Sequence, residues 1–93
     1  MLTLPIKKKW FEMIVSGAKK EEYRDIKPYY TSRFRRFKTE EEMMIRFRNG
    51  YSRNSPSVVV VCRLRKGTGL SKWGAMPGKE YYILEILQVG SEN

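Results

Sequence analysis

Lys19, Glu22 and Arg24 stand in the run Gly17-Ala18-Lys19-Lys20-Glu21-Glu22-Tyr23-Arg24, where both signs of charge lie close together. Read as a strand from Lys19 to Ile26, the run puts Lys20, Glu22, Arg24 and Ile26 on one side. In a sheet that curves inward, Glu22 and Arg24 enter a cavity side by side. There the guanidinium can pin a carboxylate or a phosphate through two hydrogen bonds, and Glu22 can accept a proton or the hydrogen bonds of a base edge. A lysine near Arg24 feels a like charge, which lowers its pKa toward base chemistry. Lys19 lies at the turn into the strand, so strict alternation does not put it beside Glu22; the turn has to swing it inward. The run reads equally as an exposed strand with ion pairs worth little.

A second group is Lys7-Lys8-Lys9, in the first turn of the amphipathic helix read just before that run. The positive end of a helix dipole disfavours cations there by about 0.3–1 kcal/mol each, whereas a bound phosphate reverses the sign. The alternative is a solvated charge run screened by salt. Arg46, Arg48, Arg53, Arg63, Arg65 and Lys66 are read as sitting on two strands that, if adjacent, make a basic sheet face. Tyr51 and Trp73 offer stacking surfaces of the kind that hold bases, with Trp73 also readable as a core or loop plug. Asn49 is first of all a turn residue and secondarily a base contact. Gly67-Thr68-Gly69 reads as an anion-binding nest or, more simply, as a loop lip. Glu40, Glu41 and Glu42 are consecutive, and consecutive strand residues point to opposite faces, so they are read as solvated rather than as a metal cluster. Neither a metal nor a cofactor is expected.

Composition narrows the chemistry. The 93 residues contain no histidine, which removes histidine-based triads, histidine general bases and most protein-built zinc sites. Lysine plus arginine number 19 against 10 acidic residues, a formal charge of +9, a balance that points toward a polyanion such as RNA, DNA or a nucleotide. The single cysteine, Cys62, excludes an internal disulfide and suits a reducing cytoplasm. It reads as a small buried hydrophobe in a valine-rich strand. No apolar run approaches the ~18 residues of a membrane span, and early lysines exclude a secretory signal.

Positioning these groups requires the following elements. Leu2 to Ile6 alternates as a short strand ending near Pro5. Trp10, Phe11, Ile14 and Val15 form one face of a helix over residues 7–16, with Gly17 at its left-handed cap. After the strand from Lys19, Lys27-Pro28 opens a second helix with Pro28 at its first position and a stripe of Tyr30, Phe34 and Phe37. Its arginine-rich end, Arg33 to Lys38, is an alternative surface for a protein partner. Thr39 and Glu42 match a capping box, but Met43, Ile45 and Phe47 alternate as a strand, and Asn49-Gly50 after it predicts a tight turn. Ser57 to Lys66, with Val58 through Val61, reads as the central strand. Gly67 to Gly78 reads as a loop, Tyr81 to Val89 as the last strand, and residues 90–93 as a loose tail. The order predicts a single α+β domain over residues 1–93, with a mixed sheet or small barrel of about five strands and two short helices.

Leu4-Pro5-Ile6-Lys7, Trp10-Phe11-Glu12-Met13-Ile14 and the run from Gly17 to Arg24 together resemble the ASCH domain, a β-barrel family related to the PUA domains of RNA-modifying proteins. Its helix followed by Gly-x-Lys-x-x-Glu-x-Arg is filled here by Gly17, Lys19, Glu22 and Arg24. Phe47-Arg48-Asn49-Gly50-Tyr51, Trp73-Gly74 and Pro77-Gly78-Lys79-Glu80-Tyr81-Tyr82 look like a short version found in phage and prophage genomes. The resemblance covers nearly the whole chain. It implies a PUA-like barrel with a cleft for RNA or a modified nucleotide. Some relatives resemble ribonucleases, and another branch hydrolyses acylated cytidine with a lysine, a threonine and a glutamate. Glu22 stands where that threonine would be, which argues against acylcytidine hydrolysis.

The resulting expectation is a cytoplasmic RNA- or nucleotide-binding module, taken as a monomer with no membrane partner. Its contacts are Lys7, Lys19, Glu22, Arg24, Arg48, Asn49, Tyr51 and Trp73. The rival is a metal- or lysine-dependent ribonuclease using Lys19, Glu22 and Tyr23; a third reading is a phage accessory protein that binds a host protein.

Overall fold

A computed structural model describes residues 1–92 of the chain. Strands β1 (Leu2–Pro5), β2 (Glu21–Asp25), β3 (Glu42–Arg48), β4 (Ser57–Thr68) and β5 (Glu80–Glu92) form one mixed sheet in the order β1-β3-β4-β5-β2. Helix α1 (Lys8–Val15) joins β1 to β2, and α2 (Pro28–Arg33) follows β2. The sheet is antiparallel except where β1 runs parallel to β3, with Leu2 opposite Ile45 and Leu4 opposite Phe47. The α+β class, the strand count and the two helices agree with the sequence reading.

Alternation sets the two faces. Leu4, Ile45, Phe47, Val58, Val60, Cys62, Leu64 and Leu84 turn to the core face, where Phe11 and Ile14 of α1 and Phe34 meet them. Fully burying a side chain such as Phe11 contributes about 1.5–3 kcal/mol, so these two positions suffice to fix which side of α1 faces the sheet. Strands β1 and β2 are the margins of the sheet, yet both supply walls to a single cleft. The sheet therefore curls into a half-barrel, with α1 crossing its open side.

Several local expectations are corrected. Asn49-Gly50 does not make a two-residue hairpin. The connection runs through residues 49–56, closed by the Asn49 N–H donating to the Pro56 carbonyl at 2.8 Å. Helix α2 ends at Arg33, because Phe34 leaves helical geometry (φ −93°, ψ 2°) as it buries against Tyr82. Residues 35–38 thus lie in turn and irregular backbone rather than on a helical surface. Gly67 and Thr68 continue β4 instead of forming a nest. Residues 90–92 belong to β5, since the start of β4 needs a partner there: Val58 lies opposite Glu92. Asn93, the rest of the expected tail, lies outside the described residues. No helix among these residues is long and apolar enough to cross a membrane.

Candidate functional site

The geometry of the site begins at the end of α1. Gly17 takes a left-handed φ of +84°, which ends the helix without the steric cost a Cβ would bring. The backbone N–H groups of Gly17 and Lys19 donate back to the carbonyls of Ile14 and Met13. This reversal swings Lys19 under the helix. Its side chain is 0% exposed, and Nζ donates to the Trp73 carbonyl and lies 3.4 Å from Glu22 Oε1. The rings of Trp10 and Tyr23 flank the ammonium at 4.7 and 4.9 Å, a contact favourable to a desolvated cation.

Glu22 and Arg24 do enter the interior side by side, as their spacing predicts. Arg24 Nε and Nη2 donate to Glu22 Oε2 at 3.1 and 2.8 Å. Nη2 also donates to the Pro5 carbonyl at 2.7 Å, and Nη1 to the Tyr30 hydroxyl at 3.2 Å. The guanidinium thus bridges the two sheet margins. Four of its five N–H groups are used, leaving one on Nη1 without an acceptor among the described residues. Two cations share one carboxylate, so the buried cluster carries one positive charge in excess. Burial pulls Lys19 below the ordinary lysine pKa; the Glu22 carboxylate opposes that pull through its charge and hydrogen bond, and Arg24 reinforces it.

Above Glu22 and Arg24 lies an open cleft of about 700 Å³. Pro5, Ile6 and Lys7 form one wall, residues 22–25 another, and Asn49, Gly50 and Tyr51 a third, with Trp10 and Tyr30 completing the lining. The second acidic group there, Asp25, is matched by Lys79 at 3.0 Å. Strand β2 also presents main-chain groups at its free edge. Ile86 N–H bonds the Lys20 carbonyl, and bonded pairs alternate along an antiparallel ladder. In that register Tyr23 is a non-bonded pair with Ile83, so its N–H and C=O point away from β5.

Among the expected contacts, Lys7, Glu22, Arg24, Asn49 and Tyr51 line this cleft together. Lys7 is exposed and Tyr51 is 92% exposed. Of the lysine triplet only Lys7 takes part; Lys9 lies over the Trp10 ring at 4.6 Å. Lys19 is too enclosed to touch a ligand and acts by setting Glu22. Both Glu22 oxygens are engaged by cations, so its part is to position Arg24 rather than to accept from a base. Tyr23 does not serve as a proton carrier in the cleft. Its hydroxyl donates to Glu21 at 2.7 Å and accepts from Leu70 N–H, and burial together with the Glu21 bond pushes its pKa up to about 12. The three residues expected to catalyse RNA cleavage therefore do not present reactive groups to one space. Trp73 is the plug rather than a stacking surface: it is 9% exposed, and its indole N–H donates to the Ala18 carbonyl at 2.9 Å.

Arg46, Arg48, Arg63 and Arg65 share the outer face of the sheet, but the last two are paired with Glu42 and Glu21. Two residues expected on this face are not there: Arg53 sits in the 49–56 connection rather than on a strand, and Lys66 lies on the other face over Tyr82. Arg48 lines a neighbouring hollow rather than the main cleft. Among the cleft residues missed as site candidates, the aromatic ones, Trp10 and Tyr30, were passed over because both continue an apolar helical stripe. The signal available in the sequence was a tryptophan immediately after a lysine run. Among the described residues no group of three or more Cys, Asp or Glu side chains is arranged to hold a metal. No family model, curated protein or solved structure matches the chain.

Proposed function

We propose that the chain is a nucleic-acid-binding module of the ASCH-like, PUA type, taking a single-stranded RNA segment or a nucleotide in the cleft above Arg24. One observation carries this reading: Glu22 and Arg24 form the floor of a cleft whose lining includes Lys7, Trp10, Tyr30 and Tyr51, with the enclosed Lys19 behind them giving the cluster a second cation for its one carboxylate. A phosphate there gains the remaining Arg24 N–H and the Lys7 ammonium, both charge-assisted. A base gains aromatic faces, each worth about 1–3 kcal/mol, and the free N–H and C=O of Tyr23 as edge partners. The overall charge of +9 adds long-range attraction for the same ligand.

The test is fluorescence anisotropy with a labelled single-stranded RNA, repeated from about 50 to about 200 mM salt. Affinity is expected to fall steeply with salt, and Lys7→Glu, an exposed change, is expected to weaken binding about tenfold. Affinity that stays flat with salt, or that ignores both Lys7→Glu and Tyr51→Ala, would refute the proposal.

A further inference from the structure

Beside the main cleft lies a smaller hollow of about 280 Å³, with which it shares Pro5, Gly50 and Tyr51. Its distinctive residues are Arg33 and Arg48, from α2 and β3, with Tyr29 beside them. Arg33 stacks over the Tyr29 ring at 5.0 Å and donates to its hydroxyl at 3.2 Å. That contact holds the guanidinium at the mouth of the hollow. Arg48 has its Nε buried with no acceptor. Neither arginine has an acidic partner among the described residues, and no carboxylate lines the hollow. This differs from the main cleft, where Glu22 and Asp25 are matched by cations, and from Arg63 and Arg65 on the same sheet. Two unmatched guanidiniums beside two phenol rings make a site for a phosphate with a stacked base.

We infer that this hollow is a second nucleotide subsite, and that the ligand is a single-stranded oligonucleotide that crosses the ridge of Pro5, Gly50 and Tyr51 rather than a lone mononucleotide. The inference rests on the reading of the main cleft given above and extends it to the length of the ligand. Tyr51, almost fully exposed and lining both spaces, sits where successive bases would part. The phosphate between them falls to Arg48 and Arg33, and the neighbouring phosphate to Arg24 and Lys7.

Isothermal titration with adenosine 5′-monophosphate, an adenylate dimer and an adenylate tetramer tests this on the full chain. The tetramer is expected to bind at least about tenfold tighter than the monophosphate. The double variant Arg33→Ala/Arg48→Ala should abolish that gain while leaving monophosphate affinity within about twofold. Its salt slope on the tetramer should fall by about 0.7, from loss of the one phosphate that the two arginines share. Arg33→Glu, a change at an exposed position, should reduce the gain alone and covers the case in which altering Arg48 disturbs β3. A tetramer bound no tighter than the monophosphate, or a gain that survives both variants, overturns the second subsite and leaves the main cleft standing. Failure of every nucleotide to bind overturns both.

Discussion

Replacing Glu22 with glutamine keeps the shape of the side chain and removes the carboxylate that Lys19 and Arg24 share. The amide oxygen can still accept from Arg24, but the NH2 group then faces the Lys19 ammonium, donor against donor. With Lys19 fully enclosed and Arg24 only 8% exposed, neither cation can be rehydrated without moving backbone. Removing one partner of a buried ion pair costs about 3–5 kcal/mol. For a domain this small that lowers Tm by about 12 °C or more. The loss should shrink as pH rises. Lys19 is already held below its ordinary 10.5, and without Glu22 its folded pKa drops further, so above that value the folded variant carries a neutral amine. The unfolded chain then binds more protons than the folded one, and stability rises with pH relative to the parent. Lys19→Met combined with Glu22→Gln should cost at least about 1 kcal/mol less than the two singles summed. Chemical denaturation followed by circular dichroism at neutral and alkaline pH measures all of this. A cost under about 1 kcal/mol for Glu22→Gln, or strict additivity in the pair, would refute the account of the cluster.

Three further outcomes are expected. Gly74 has φ +101° and a Cβ there would lie 3.0 Å from the Trp10 ring; Gly74→Ala should therefore cost about 1–3 kcal/mol and change the Trp10 environment, readable as an altered near-ultraviolet dichroism. Cys62 is buried and its pKa is pushed up from 9.0 to about 12, so the folded state keeps a proton that the unfolded chain loses, and stability should fall between those values by at most about 1.4 kcal/mol per pH unit; Cys62→Ala should flatten that part of the alkaline denaturation profile. Tyr51→Ala should leave stability within about 0.5 kcal/mol yet weaken RNA binding by about 1–3 kcal/mol, whereas Trp73→Ala should destabilise by about 3–5 kcal/mol; thermal melts and anisotropy on both variants would detect a reversal.

Much of the architecture was readable because periodicity records it. Val58 to Val61 is β-branched and apolar, and it lies at the centre of the sheet; Glu22 and Arg24 are two apart, and they point inward together. What escaped depended on contacts distant in the chain. Strand alternation leaves the direction of Lys19 open, since it stands at the turn; the reversal at Gly17 swings it inward and the Trp73 carbonyl, far along the sequence, receives its ammonium. Trp73 could be read as plug or platform until the Ala18 carbonyl took its N–H. Asn49-Gly50 carries a hairpin signal, yet Pro56 ends the connection and supplies the acceptor for Asn49. Residues 90–92 look like an end with nothing to hold them, and only the register with Val58 makes them strand.

The placement of β1 and β2 at opposite margins has a consequence for assembly. Leu2 finds its neighbour at Ile45 and Glu21 finds its neighbour at Glu85, so each waits for a partner made much later in the chain, while β4 and β5 are joined by a comparatively short connection. Loop closure favours the nearer pairing first. The cleft whose two margins Arg24 ties together is therefore expected to be completed last during folding and to be the first to come apart when the molecule breathes. Hydrogen exchange at Pro5's neighbours and at Glu22 and Arg24, whose amides face β5, should run ahead of exchange along β4, and recovery of ligand affinity should mark the end of refolding rather than its beginning.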